Sequence, residues 1–223
     1  KPNVEKLQDN KNLYQKLKKF DWITDNSGIK KRKYNSDEEY IKHQSNKLEI
    51  IKNRGHGWSK KNITEYRLRF WLRFKHLKHF LKKNALCLCL GARQGTEVEV
   101  LRELGFTKTF GIDLNPGPKN KLVKKGNFMN LEFPDNHFDM LYSNCLDHTL
   151  DLELFFKEQV RVLKNNGYFL IDINTNEDAG HYESQEWDRP ELVLMILLKY
   201  FRNIVLLKKE KRWLWILVNN PIK

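Results

Sequence analysis

Two glycines and one carboxylate are spaced as in a site for a nucleotide. Gly91 and Gly95 follow the apolar run of residues 86–90, and Asp113 comes about 20 residues later, after a predicted helix and strand. Glycine lets a chain turn sharply and lets a ligand approach the backbone closely. A carboxylate at this distance in a strand–helix–strand unit can accept hydrogen bonds from ribose hydroxyls. The stretch therefore predicts a nucleotide-like cofactor, with a ligand-free glycine loop as the alternative.

A second group of reactive side chains, Asp147-His148, follows the predicted strand of residues 138–143. Open α/β sheets bind ligands beyond the carboxyl ends of their strands, where this pair should lie. A neutral histidine can act as a general base for an alcohol, and the alternative is a histidine that packs on or caps the next helix. Asp147 can orient His148, bind a divalent ion or cap the helix predicted from residue 150, and capping is the most ordinary of these roles. The sequence shows no clear set of metal ligands, so no metal is predicted.

These residues need a framework of alternating strands and helices. Apolar runs and turn residues predict strands at 86–90, 110–114, 138–143, 168–173, 203–207 and 213–218, and a short strand that begins at 122–123 and ends at 126–128. Apolar stripes predict helices at 96–104, 150–163 and 190–200, the first of them capped by Thr96. This order predicts an α/β protein with a doubly wound, mostly parallel seven-stranded sheet and helices on both faces.

The N-terminal part of the chain is predicted to be a basic helical extension or lid, residues 1–83, on a domain of residues 84–223. Ser36 begins a capping-box sequence for one helix. A longer helix is predicted at residues 64–83, with Phe70 and Phe74 facing the sheet and Arg73 largely outside. The stretch from residue 24 to residue 35, which contains the basic run 30–33, is predicted to be a loop.

Charge is distributed very unevenly. The 223 residues carry a formal net charge of +13, and residues 1–83 hold 23 lysines and arginines against 9 acidic residues. The positive electrostatic field of this segment could attract nucleic acid, an anionic glycan or a membrane surface. The alternative is that biased codon usage produced the excess of lysine with no partner involved.

Cysteine usage and apolar runs bear on the location of the protein. Cys87 and Cys89 alternate with leucines in a predicted strand, so they are predicted to be buried, reduced thiols of a cytoplasmic protein. No apolar run is long enough to span a bilayer. Because the sequence begins at Lys1, it is expected to be a trimmed chain or a domain of a longer protein.

From about residue 84 onward, the chain resembles the class I S-adenosylmethionine-dependent methyltransferases. The likeness rests on LCLGARQGTE at the first strand and turn, GIDLNPG at the second strand, KKGNFMNLEFPDNHFDMLYSNCLDH across the third and fourth, and FFKEQVRVLKNNGYFLIDI up to the fifth. It implies a Rossmann-like fold with S-adenosylmethionine as the cofactor. Two positions depart from the family pattern: Cys89 stands where many members have an acidic residue, and Arg93 stands where the middle glycine often lies.

The resemblance also implies which residues contact the cofactor. Gly91 and Gly95 match the turn beneath the methionine part, and Asp113 matches the residue that holds both ribose hydroxyls. Asn127 and Phe128 match the positions that meet the adenine. The full implied set is Gly91, Ala92, Arg93, Gly95, Asp113, Leu114, Asn127, Phe128, Ser143 and Asn144.

A narrower resemblance concerns the acceptor. The segments EEYIKHQSNKL, SNCLDHTLD and YESQEW are similar to those of methyltransferases associated with glycan modification. Together with the Asp147-His148 pair and the polar aromatic loop of residues 181–187, they favour an O-methyltransferase that acts on a carbohydrate or glycan, alone or within a larger glycan-building enzyme, with His148 and Asp147 as catalytic residues. The predicted substrate-binding residues are His43, Tyr182, Glu183 and Trp187, and the alternative is that these side chains only pack on the domain. The alternatives are a nucleic-acid methyltransferase that uses the basic segment, and a catalytically silent cofactor-binding module.

Overall fold

A computed structural model describes residues 21–47, 60–175, 182–210 and 212–223. Its strands are β1 (Trp22–Thr24), β2 (Lys30–Arg32), β3 (Cys87–Leu90), β4 (Thr109–Asp113), β5 (Val123–Lys125), β6 (Phe138–Ser143), β7 (Leu163–Asn174), β8 (Gln185–Glu186), β9 (Phe201–Lys209) and β10 (Trp213–Pro221). Its helices are α1 (Asp37–Ser45), α2 (Lys60–Phe74), α3 (Thr96–Glu103), α4 (Leu152–Val162) and α5 (Glu191–Tyr200).

Seven of these strands form one sheet in the order β5-β4-β3-β6-β7-β10-β9. The pairs from β5 to β7 are parallel, and β10 runs antiparallel to both of its neighbours. The predicted mostly parallel, seven-stranded sheet is therefore confirmed. The order of the chain reverses at β3, since β4 lies on one side of it and β6 on the other, and this switch point is where such sheets bind ligands.

The sheet separates two apolar cores, as expected for helices on both faces. On one face Phe70 and Phe74 of α2 pack with Val98 and Leu101 of α3 against the strands. On the other face α4 and α5 cover the sheet with side chains such as Phe155, Phe156, Val193 and Ile196. Cys87, Cys89 and Cys145 are free and buried, which confirms the prediction for the first two. No helix in the described part of the chain is both long and apolar enough to cross a membrane.

Two predicted helix caps are wrong. The N-cap of α3 is Gly95, with φ of 90°, and Thr96 is the first residue of the helix. The N-cap of α4 is Asp151, whose Oδ1 accepts the Leu154 N–H at 3.0 Å, so Asp147 does not cap this helix. Ser36 does cap α1, because its hydroxyl accepts the Glu39 N–H at 3.3 Å.

The stretch predicted to be a basic loop is instead part of a small sheet. β1, β2 and β8 form three antiparallel strands, in which Lys30 pairs with Glu186 across β2 and β8. The Lys30 ammonium lies 2.8 Å from the Glu186 carboxylate. This sheet ties the N-terminal segment to the chain that follows β7.

The helix predicted at residues 64–83 ends at Phe74 and is followed by a single 3₁₀ turn, Leu77–His79. Phe70 and Phe74 face the sheet as predicted, with Phe74 edge-on to the Tyr142 ring at 4.8 Å between centroids. The expectation that Arg73 lies outside is wrong, because its side chain is buried and its guanidinium is bonded to the Asp172 carboxylate. A buried carboxylate on β7 thus draws a charged side chain into the interior.

Candidate active site

A cavity of about 490 Å³ opens at the carboxyl ends of β3, β4 and β6. Its volume lies in the range of roughly 300–1,000 Å³ that is usual for small-molecule sites. It is lined by the turn after β3, by Asp113, and by the segment after β6 together with Lys47 and Glu183.

The turn after β3 leaves its backbone bare toward the cavity. Gly91 has φ of 65°, and a Cβ atom at this position would lie 2.5 Å from the Cys145 sulfur. No other residue type fits there, since the conformation and the space both exclude a side chain. Arg93 also adopts a left-handed conformation, with φ of 47°. The arginine thus takes the backbone conformation that suits the glycine of the family pattern.

Asp113, at the end of β4, is bonded to the turn and to its own loop. Its Oδ2 accepts the Arg93 N–H at 2.9 Å and its Oδ1 accepts the Asn115 N–H at 2.8 Å. Each carboxylate oxygen has a second lone pair, so both can still accept a hydroxyl. The carboxylate also lines the cavity. The bare glycine turn and this oriented carboxylate fit the nucleoside part of S-adenosylmethionine.

The remaining residues predicted to bind the cofactor divide into two groups. Those that line the cavity with Gly91, Arg93 and Asp113 are Ala92, Leu114, Phe128 and Asn144. Gly95, Asn127 and Ser143 do not line it. Gly95 is the N-cap of α3, the Asn127 side chain accepts the Met129 N–H at 3.0 Å, and the fully buried Ser143 hydroxyl lies 3.3 Å from the Cys145 sulfur. Their predicted contacts with the cofactor stay predictions.

Glu97 is a cavity residue that the sequence analysis did not single out. It lies in the first turn of α3, is 6% exposed and lines the cavity. Burial raises the pKa of its carboxyl to about 8. Burial raises the pKa of the Cys89 thiol, and the Glu97 charge raises it further. A carboxyl group therefore lies near Cys89, the cysteine at the position where many members of the family have an acidic residue. The residues TEVE are ordinary in a helix, so the sequence gives no local signal that Glu97 lines the cavity.

Ionisable groups of the cavity wall gather around His148. The His148 Nε2 atom lies 3.9 Å from Asp147 Oδ1 and 4.0 Å from Glu183 Oε1. The ligand atoms of these three residues all lie within 4.8 Å of one another, a spacing that could hold a metal ion. All three residues line the cavity, so the predicted catalytic pair and Glu183 are brought together.

The tautomer of His148 follows from its contacts. Its Nδ1 lies 2.8 Å from the Tyr182 carbonyl, which can only accept, so Nδ1 carries the proton and Nε2 carries the lone pair. Burial and the neighbouring Lys47 charge hold the pKa of His148 well below its ordinary value. Burial and Glu183 raise the pKa of Asp147 to about 7. His148 is therefore a neutral imidazole at neutral pH.

Lys47 is the second cavity residue that the sequence did not reveal. It follows α1, lines the cavity, and places its Nζ 2.6 Å from His148 Nε2. Burial and Arg93 lower its pKa to about 7. In the sequence it is one of many lysines in a basic segment, so only the fold distinguishes it.

Three residues predicted to bind substrate lie behind the cavity wall. The rings of His43 and Tyr182 stack at 5.4 Å between centroids, and both side chains are buried. Trp187 is buried and its Nε1–H donates to the Asn174 carbonyl at 2.7 Å. None of the three lines the cavity, and they support residues that do, so direct contact with substrate stays a prediction.

α1 is fastened to the loop that carries His148. The Tyr40 hydroxyl donates to the His148 carbonyl at 2.9 Å, and the Gln44 amide donates to the Tyr182 carbonyl at 2.7 Å. The Asn115 amide donates to the Ser45 carbonyl at 2.8 Å, beside Asp113. The N-terminal segment is thus part of the wall of the site.

Comparison with known proteins gives the class of this site. Residues 88–171 match the family described as a methyltransferase domain, and the match spans β3 to β7 with the glycine turn, Asp113 and His148. Over these residues the chain is similar to a methyltransferase domain. Its cofactor is S-adenosylmethionine.

Solved structures resemble the methyltransferase domain in fold. The 1,6-didemethyltoxoflavin-N1-methyltransferase of Burkholderia thailandensis, solved with S-adenosylhomocysteine, matches with a TM-score of 0.63 and 15% identity over 90% of this chain and 99% of that one. A protein from Pyrococcus horikoshii matches with a TM-score of 0.58 and 20% identity over 74% of this chain and 95% of that one.

A curated relative resembles the methyltransferase domain over a short stretch. The sterol 24-C-methyltransferase of Aspergillus fumigatus is 50% identical over 64 residues, which is 26% of this chain and 17% of that protein. The stretch thus spans about a sixth of that enzyme.

Proposed function

We propose that this protein is an S-adenosylmethionine-dependent O-methyltransferase whose acceptor is a hydroxyl of a carbohydrate. The observation that carries the proposal is the polarity of the cavity beyond the cofactor end. Asp147, His148, Glu183 and Lys47 meet there, all lining one cavity with Asp113. An acceptor rich in hydroxyl groups would satisfy such groups, whereas an apolar chain or ring system would leave them desolvated without partners.

Two further polar atoms in the cavity wall support a polar acceptor. Arg69 Nη2 and Asn174 Oδ1 are buried and have no hydrogen-bond partner within the described ranges. Buried polar atoms normally have partners, so each points to a group that a ligand would supply. The Arg69 guanidinium stacks 4.7 Å from the Trp213 ring, and both residues line the cavity. A donor, an acceptor and an aromatic face suit the hydroxyls and the apolar face of a sugar.

The chemistry requires little beyond positioning and proton removal. S-adenosylmethionine supplies an activated methyl group with a neutral thioether as the leaving group. The protein must hold the acceptor oxygen in line with that methyl group and take its proton. The ionisable groups around His148 are placed to take a proton, because they line the same cavity as the glycine turn and Asp113.

The test is a methyl-transfer assay with acceptors of different chemistry. We expect transfer to at least one member of a panel of deoxyhexose glycosides, giving a methyl ether that NMR assigns to one ring position. A sterol and a small heteroaromatic amine are the comparison acceptors, chosen because similar proteins act on such molecules. Transfer to the sterol or amine with none to any glycoside would overturn the proposed acceptor.

A further inference from the structure

Glu97 places a buried carboxyl group beside the glycine turn. It lies in the first turn of α3, two residues after Gly95, and the residue is 6% exposed. It lines the same cavity as Gly91 and Arg93 of the turn. Within the described ranges, no hydrogen bond or ion pair joins its carboxyl group to another side chain. Since buried polar groups normally have partners, this carboxyl group points to a partner that a ligand would supply.

The ionisable groups around Glu97 do not offset its burial. Burial raises the pKa of its carboxyl to about 8, the Arg93 charge opposes this change, and Asp113 and Glu99 add to it. The other ionisable side chains on the elements packed around the start of α3 are Cys89 of β3, Tyr142 of β6, and Tyr66, Arg67 and Arg69 of α2. Arg67 is engaged with Glu99 at 2.8 Å. The Glu97 carboxyl therefore holds its proton near pH 7 until a cation enters the cavity.

The acidic residues of the cavity wall divide by what lies near them. Asp113 is oriented by two backbone N–H groups and fits the ribose hydroxyls. Asp147 and Glu183 lie around His148. Glu97 is the remaining acidic residue that lines the cavity in the described part of the chain. It is thus the carboxyl group that lies beside the turn and has no other assigned contact.

The cofactor carries one group of each charge at its amino-acid end. The methionine part of S-adenosylmethionine has an ammonium group and a carboxylate. Lys47, Arg69 and Arg93 line the cavity and are basic side chains suited to the carboxylate. The ammonium group needs an acceptor, and an opposite charge within about 4–6 Å favours the ionised form of a carboxyl. Glu97 therefore matches the ammonium group.

We propose that Glu97 binds the ammonium group of the cofactor's methionine part. When the cofactor enters, the Glu97 proton passes to solvent, and the carboxylate accepts a hydrogen bond from the ammonium group, which keeps its own charge. Helix α3 thereby supplies an acidic group near β3, where Cys89 stands in place of the acidic residue of many family members. Glu97 contacts the cofactor alone, so this role is independent of the acceptor.

Binding measurements with two ligands isolate the contact. Calorimetry at pH 8 compares S-adenosylhomocysteine with its deaminated analogue, in which a hydrogen atom replaces the amino group. We expect Glu97→Gln to bind S-adenosylhomocysteine about 10- to 100-fold more weakly, because a hydrogen bond between charged groups is lost. It should bind the deaminated analogue at least as well as the unaltered protein does. Glu99→Gln, exposed on the same helix, is the matched control and should bind both ligands normally.

Proton release gives a second readout, which a merely structural role would not change. Calorimetry at pH 7 in phosphate and in Tris, two buffers with different ionisation enthalpies, counts the protons exchanged on binding. Because the pKa of the Glu97 carboxyl is about 8 before binding, its ionisation should release roughly 0.9 proton per S-adenosylhomocysteine. Glu97→Gln should release about one proton fewer. The affinity of the unaltered protein should also rise between pH 6 and pH 8, and that of the variant should not.

The results that would overturn the proposal are distinct. Equal weakening of S-adenosylhomocysteine and of the deaminated analogue by Glu97→Gln would mean that Glu97 only supports the turn. Weakening that disappears with a decarboxylated analogue would mean that a protonated Glu97 donates to the cofactor carboxylate. Proton release that is unchanged in the variant would assign the proton to another group. Glu97→Asp is the second variant, and thermal unfolding reports whether each variant folds. We expect Glu97→Asp to keep the proton release with weaker binding.

Discussion

Carboxyl groups in this cavity behave differently according to what they contact. Asp113 accepts two backbone N–H groups, whereas Glu97 is buried against the cavity and its pKa is raised to about 8. An acid whose folded-state pKa is raised binds its proton more tightly in the folded protein than in the unfolded chain. The stability that this proton gives is present at low pH and is lost as the pH rises from about 4.5 toward 8.

This difference predicts that Glu97→Gln stabilises the protein only at high pH. The amide resembles the neutral acid, so at pH 5 the free energy of unfolding should change by less than about 1 kcal/mol. At pH 9 the ionised carboxylate of the unaltered protein destabilises the fold, and the variant should be more stable by roughly 2–4 kcal/mol. Urea unfolding at both pH values measures the effect. Glu99→Gln, on the exposed side of α3, is the control and should show no gain at pH 9. An equal effect of Glu97→Gln at both pH values would mean that Glu97 is ionised throughout.

Single residues also show where prediction from sequence ends. Gly91, Asp113, Asp147 and His148 were found because they follow strands whose apolar runs are visible in the sequence, and the carboxyl ends of parallel strands meet at one edge. Lys47 could not be found in the same way. It enters the cavity because α1 is bonded to the loop around His148, and contacts of this kind join parts of the chain about 100 residues apart.

At the scale of elements, α2 is joined to the sheet by a buried charged group as well as by its apolar stripe. The Arg73 guanidinium is bonded to Asp172 on β7 and stacks 4.3 Å from the Trp215 ring on β10. The Tyr142 hydroxyl on β6 donates to the same Asp172 oxygen at 3.1 Å. The pKa of Asp172 is raised, since burial outweighs the opposing effect of Arg73. Four elements therefore meet at one buried carboxylate.

Removing Arg73 from its buried pair with Asp172 should lower the free energy of unfolding far more than removing an exposed arginine. Arg73→Met leaves the Asp172 carboxylate buried without its cation, so we expect a loss of about 3–5 kcal/mol in the free energy of unfolding. Arg67→Met is the control on the same helix: Arg67 lies 2.8 Å from Glu99 at the surface, and its loss should cost less than about 1 kcal/mol. Urea unfolding at pH 7 compares the two. The double change Arg73→Met with Asp172→Leu should recover much of the loss, because neither charge is then buried. Equal losses for the two single variants would show that the buried pair adds nothing to the docking of α2.

The strands of the large sheet could be predicted from the sequence, and those of the small sheet could not. The strands of the large sheet and the helices α3, α4 and α5 lie within a few residues of the predicted positions, because apolar runs and stripes reveal them. β1, β2 and β8 have only two or three residues each, too few for an alternating pattern. β8 is also separated from its partner β2 by most of the chain, so β8 has no partner nearby in sequence.

At the scale of the whole molecule, the excess of positive charge in residues 1–83 is partly matched by contacts inside the fold. Lys31 lies 3.1 Å from Asp25, Lys30 lies 2.8 Å from Glu186, and Arg67 lies 2.8 Å from Glu99. Arg73 is buried against Asp172, and Lys47 points into the cavity. These basic side chains serve internal contacts, so the formal charge overstates the field that a polyanion would meet.

This pairing predicts that RNA binds weakly and that the binding depends only slightly on the salt concentration. Each phosphate neutralised by a lysine or arginine adds about −0.7 to the slope of log K against log [salt] for a single strand. With many basic groups engaged inside the fold, we expect a slope no steeper than about −2 and loss of binding by about 150 mM salt. Fluorescence anisotropy with a labelled single-stranded RNA measures the slope. Charge reversal at the exposed Lys78 and Lys82 should change it little, because neither lysine lines the cavity. A slope near −5 with binding retained at 150 mM would instead favour a nucleic-acid acceptor over a carbohydrate.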